Sequence, residues 1–77
     1  MITKKIIVSC MLDLSYLNIV DKLKELDVTI LDKVYNTEFE RYDVHTEMTK
    51  EQAYDMLDFV KENTVDGFLW KGEGILA

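Results

Sequence analysis

Apolar residues recur along this chain with two periods, one of about two residues and one of about 3.6, and the switches between them divide it into elements. Lys4-Lys5-Ile6-Ile7-Val8-Ser9-Cys10-Met11 is short and rich in β-branched residues, as central strands are. Alternation predicts Ile6, Val8 and Cys10 on the core side and Ile7, Ser9 and Met11 on the other. Tyr16, Ile19, Val20, Leu23 and Leu26 then follow at i, i+3, i+4, i+7 and i+10. Asn18, Asp21, Lys22 and Glu25 fall opposite them, so this segment is an amphipathic helix, with Asp13 or Ser15 placed to cap it.

Val28 to Tyr35 returns to the strand period, and Asn36-Thr37 is the predicted turn. Glu38 to Thr46 alternates again and is expected to pair antiparallel with the strand before it. Tyr42 and Val44 would then look inward, and Phe39, Arg41, Asp43 and His45 outward. A second helix occupies the stretch from Met48 to Asn63. Ala53, Met56, Leu57 and Val60 form its buried stripe, and Thr49 with Gln52 forms a capping box. Asp66-Gly67 is expected to end this helix, Phe68 to Lys71 to form a last strand, and Gly72-Glu73-Gly74 to loosen the C-terminal end.

The order is β-α-β-β-α-β in one domain, residues 1–77. Two βα units joined by a hairpin predict a ferredoxin-like α/β (α+β) plait, with both helices on one face of a four-stranded antiparallel sheet. The other face is left to solvent or to a partner.

Charge changes this picture most. The chain carries a formal charge of −6, and residues 36–66 hold nine Asp and Glu against Arg41, Lys50 and Lys61, so the entire net charge falls in that segment. Nucleic acid and anionic membranes need a basic footprint and are disfavoured as partners; a basic protein surface is favoured. One cysteine, Cys10, cannot form an internal disulfide, which fits a reducing compartment. The run from Ile6 to Leu14 is interrupted by Ser9, Cys10 and Asp13, and no run approaches the ~20 apolar residues of a membrane span. The expected location is cytoplasmic, the host cytoplasm if the protein is viral.

The search for catalytic or metal chemistry returns little. Cys10 and His45 point to opposite faces of the predicted sheet, and no second Cys or His completes a zinc set. Glu47, Glu51 and Asp55 lack the spacing and the central glycine of a calcium loop. No phosphate-binding glycine motif is followed by a helix, and GxSxG and HExxH are absent. The expectation is a non-enzymatic protein with no catalytic residues, no metal and no cofactor. Base stacking on the outer sheet face is a poor fit, because the first strand has no aromatic and the third offers only Phe39 among acidic residues.

Glu51, Asp55, Asp58 and Glu62 repeat at helical spacing opposite the apolar stripe, within about 60° of arc. Lys50 and Lys61 fall together on one flank and leave the centre of that row unpaired. Like charges at i, i+4 cost a few tenths of a kcal/mol each, so the row is retained against its own repulsion. Carboxylates in rows about 5–6 Å apart along a helix resemble the spacing of phosphates along a nucleic-acid strand. The predicted partner-binding residues are Glu40, Asp43, Glu47, Glu51, Tyr54, Asp55, Asp58 and Glu62, with Phe59, Trp70 and Tyr35 as further apolar anchors.

In size and charge, the chain is similar to small acidic phage-encoded inhibitors of host nucleases or defence complexes, anti-CRISPR proteins among them. That likeness implies an inhibitor that occupies a basic, nucleic-acid-handling partner. The order strand, Asp13, helix, strand, acidic hairpin and second helix also resembles, in outline, regulatory domains of the ACT type. Those domains carry a glycine at the start of the first helix, where this chain has Leu14-Ser15. That likeness implies the alternative, a self-associating small-ligand domain, dimerising through the uncovered sheet face (Ile7, Met11, Phe39) or an edge strand.

Overall fold

The computed structural model describes residues 2–71 and the backbone of Gly74 and Ile75. Strand β1 (Lys4–Cys10) leads into helix α1 (Asp13–Glu25) and then a hairpin of β2 (Thr29–Asn36) and β3 (Arg41–Met48). Helix α2 (Lys50–Asn63) follows, then β4 (Phe68–Lys71) and a two-residue strand β5 (Gly74–Ile75). Neighbouring strands are antiparallel in the order β2-β3-β1-β4-β5. This is the ferredoxin-like plait that the hydrophobic pattern predicts, with β5 added beyond β4. Gly74 pairs with Lys71, whereas the expectation for Gly72 and Glu73 lies outside the described residues.

Alternation decides which face the helices cover. Ile6, Val8 and Cys10 of β1, Val44 and Met48 of β3, and Leu69 of β4 point to the helix side and are buried. Ile19 and Leu23 of α1 and Ala53, Met56 and Val60 of α2 pack on them as one core. Full burial of such side chains contributes about 1.5–3 kcal/mol each, which holds both helices to one face.

Three local expectations are corrected. The hairpin turn comprises residues 37–40, so Glu38, Phe39 and Glu40 are loop and not strand. Asn36 Oδ1 accepts from the Glu38 and Phe39 N–H groups at 3.0 and 3.3 Å, so the turn starts on a side chain. Glu40 closes it with φ 51°, a left-handed position usually taken by Gly or Asn.

Neither Asp13 nor Ser15 caps α1. The N-cap is Leu12, which has no side-chain cap bond; Asp66, from the α2–β4 connection, instead holds the backbone just before the helix. Its Oδ2 accepts from Met11 N–H at 2.6 Å and Leu12 N–H at 2.9 Å. Helix α2 ends at Asn63, short of Asp66-Gly67. The Thr64 hydroxyl donates to Val60 O at 2.6 Å and accepts from Gly67 N–H at 3.0 Å. A Cβ at Gly67 would stand 2.5 Å from that oxygen, so the turn needs glycine there.

Candidate partner-binding site

The capping box sets the phase of α2. Thr49 Oγ1 accepts from Gln52 N–H at 3.2 Å, and Gln52 Oε1 from Thr49 N–H at 2.9 Å. The Gln52 amide also donates to Leu26 O at 3.0 Å and ties the start of α2 to the end of α1. With Ala53, Met56 and Val60 turned inward, Glu51, Asp55, Asp58 and Glu62 are all exposed. None of the four pairs with a cation among the described residues.

The row does not lie on a bare convex surface. Asp55, Asp58 and Glu62 wall a groove of about 390 Å³ between the helices, with Phe59 of α2 and Lys22 and Leu26 of α1 also lining it. Lys22 Nζ lies 5.7 Å from the Phe59 ring centroid and 3.3 Å from Glu25 Oε1. The groove thus pairs an aromatic ring with carboxylates, the two things a long basic side chain can use: its stem on the ring and its head on the acids. The helical period places Leu26 and Lys22 on faces of α1, and only the packing of the two helices brings them beside Phe59. Tyr54 is also exposed on α2, under Lys50 Nζ at 5.8 Å from its ring centroid.

The acidic residues of the hairpin lie elsewhere. Asp43 and Glu47 stand on the face of the sheet turned away from the helices, since Asp43 pairs across with Ser9, and Glu47 with Lys5. The single surface expected from residues 36–66 is therefore divided by the sheet itself. Asp43 is 6% exposed, and its Oδ1 accepts from Arg41 Nε at 2.9 Å and Ser9 Oγ at 2.6 Å. It is a structural carboxylate and leaves the partner-binding set. Glu47 is half-buried on that outer face, and Glu40 is exposed in the turn.

This outer face is also more built than alternation implies. Ser9, on the outer side of β1 as alternation predicts, is fully buried there: it donates to Asp43 and accepts from the Trp70 indole N–H at 2.8 Å. Arg41 lies between the rings of Phe39 and Trp70, at 4.8 and 5.4 Å from their centroids. Trp70 is half-buried there, so it seals a polar cluster and is not a free anchor. Tyr35 stays 48% exposed on the helix side, edge-on to Tyr42, which in turn stacks on Tyr16.

Cys10 and His45 sit on opposite faces of the sheet, Cys10 buried against the helices and His45 half-buried on the outer face. Burial, with the nearby carboxylates of Asp66, Asp43 and Asp13, pushes the Cys10 thiol up to about 12, so it is a poor nucleophile. The Tyr42 hydroxyl donates to Asp13, and this bond raises its pKa to about 12. No helix among the described residues is long and apolar enough to cross a membrane.

No protein-family model matches the chain, and no curated protein matches it. Among solved structures it is similar to a formyltetrahydrofolate deformylase from Pseudomonas putida KT2440, at 11% identity and a TM-score of 0.54. The likeness covers 95% of this chain, which spans 30% of the length of that structure. At this identity what is shared is the fold: the chain is a ferredoxin-like plait.

Proposed function

We propose that this protein is a non-enzymatic binding protein that captures a basic partner through α2 and the groove beside it, as an inhibitor occupying a surface that handles nucleic acid. The observation that carries this reading is the run of Glu51, Asp55, Asp58 and Glu62, exposed and without cationic partners among the described residues, the last three walling a groove that also offers Phe59. Its residues are these four carboxylates with Tyr54 and Phe59. Glu40, at the far turn, belongs to a different surface. Long-range attraction would speed association and make it salt-sensitive, and the aromatic rings would supply what charge alone does not. The unpaired Cys10 fits action in a reducing cytoplasm, that of a host cell for a viral inhibitor.

The test is capture of partners from the source cell at low and moderate salt by the wild-type chain and by a variant with Glu51, Asp55 and Asp58 all changed to Lys. Capture of a nucleic-acid-handling protein by the wild type and its loss in the folded variant are expected. Undiminished capture by the variant would sink the proposal.

A second reading, a self-associating regulatory or small-ligand domain, is favoured by one observation. The edge strand β2 runs eight residues, with Leu31, Val34 and Tyr35 exposed along it. Antiparallel pairing of two such edges makes a dimer. Sedimentation that finds only monomer at millimolar concentration would count against it.

A further inference from the structure

A second concavity lies away from the acidic groove, where β1 begins, β3 ends and α2 starts. Ile6, Met48 and Ala53 form its floor, and Leu57 and Tyr54 its helix-side wall. Its volume is about 540 Å³, within the ~300–1,000 Å³ of small-ligand sites. The floor is buried core surface, while Tyr54 is 56% exposed at the opening.

The charged groups at its mouth are Lys4, Lys50 and Lys71, and no carboxylate lines it among the described residues. Fifteen Asp and Glu against nine Lys and Arg over the whole chain make this a local inversion of sign. A second feature points the same way. The capping box takes the Thr49 and Gln52 N–H groups, but those of Lys50 and Glu51 bond no described residue. They stand at the positive end of the dipole of a 14-residue helix whose first residues border the pocket. An apolar floor under a cationic mouth selects a molecule with the same two parts.

We propose that this pocket binds an amphipathic carboxylate, its aliphatic chain lying on Ile6, Met48, Ala53 and Leu57 and its head between Lys4 and Lys50. The floor rejects small hydrophilic anions, which would gain nothing from Met48 or Leu57. The cations favour the carboxylate over the alcohol of the same length. Each methylene taken out of water strengthens binding by about fourfold until the pocket is full. This pocket shares Tyr54 with the proposed partner-binding surface but none of its four carboxylates, so loss of partner capture in the Glu51, Asp55 and Asp58 variant and loss of decanoate binding are independent outcomes.

The test titrates octanoate, decanoate and decanol, each below its micelle or solubility limit, into the ¹⁵N-labelled chain and follows amide shifts. Saturable shifts centred on Ile6, Met48, Ala53 and Leu57 are expected, with decanoate binding roughly 15-fold tighter than octanoate. Lys4→Glu combined with Lys50→Glu, both at exposed positions, is expected to weaken decanoate at least tenfold and decanol less than twofold. Absence of saturable shifts with the wild type, shifts centred on Phe59 and Leu26, or equal decanoate affinity in the double variant would each overturn the proposal.

Discussion

Asp43 and Asp58 come from the same acidic half of the chain and stand on regular elements 15 residues apart, yet they do opposite jobs. Asp58 is exposed on α2 with no described cation beside it, whereas Asp43 is 6% exposed and bound by Arg41 and Ser9. A carboxylate left in water keeps its hydration and projects its field. One removed from water needs its lone pairs filled, and then projects little. Net charge counted along the chain gives the two equal weight. The fold does not: Asp43 is drawn into the outer-face cluster, while the helix row stays in water.

The largest effect that separates them is on stability. Asp43→Ala leaves Arg41 unpaired and Ser9 Oγ without its acceptor, and about 3 kcal/mol is expected to be lost. Asp58→Ala removes no contact and is expected to change stability by less than about 0.5 kcal/mol. Urea unfolding of the two variants side by side checks this; equal losses would erase the distinction.

The two helix starts give a smaller version of the same contrast. The backbone that enters α1 is held by Asp66, more than fifty residues away, while α2 caps itself with Thr49. Asp66→Ala is expected to cost about 1–2 kcal/mol, because the Met11 and Leu12 N–H groups lose a charged acceptor together, and Thr49→Ala about 1 kcal/mol. Amide hydrogen exchange should show Asp66→Ala opening the first turn of α1 and Thr49→Ala that of α2. Exchange that rises evenly over both helices in either variant would refute separate anchoring of the two starts.

The last contrast is alkaline. Cys10 is raised from 9.0 to about 12 by burial first, and Tyr42 from 10.0 to about 12 by its bond to Asp13 first. Each folded-state value exceeds the unfolded one, so the folded chain holds these protons more tightly. Their contribution is full below about pH 9 and 10 respectively and is lost as pH climbs toward 12. Stability should therefore hold steady from pH 7 to 9 and fall above it. Tyr42→Phe should flatten the limb above pH 10, and Cys10→Ala the part that begins near 9. A wild-type curve level to pH 11 would refute both assignments.

The elements of the plait were legible because each rests on local order. Alternation places Ile6, Val8 and Cys10 inward, the 3.6-residue period turns Ala53, Met56 and Val60 to the core, and Thr49 with Gln52 announces its own helix. The exposed row on α2 followed from the same period. The hairpin turn was misplaced because Asn36 and a left-handed Glu40 build it without the glycine that usually marks such a turn.

What only the tertiary structure decided is every pairing between residues far apart in the chain. The register of β1 against β3 sets Ser9 beside Asp43 and Lys5 beside Glu47, which buries one carboxylate and removes both from the helix layer. The packing of α1 on α2 brings Leu26 and Phe59 beneath the acidic row, and the path after α2 carries Asp66 to the start of α1. Periodicity tells a side chain which way to face. Whether it meets water or a partner there depends on elements whose positions no local pattern encodes.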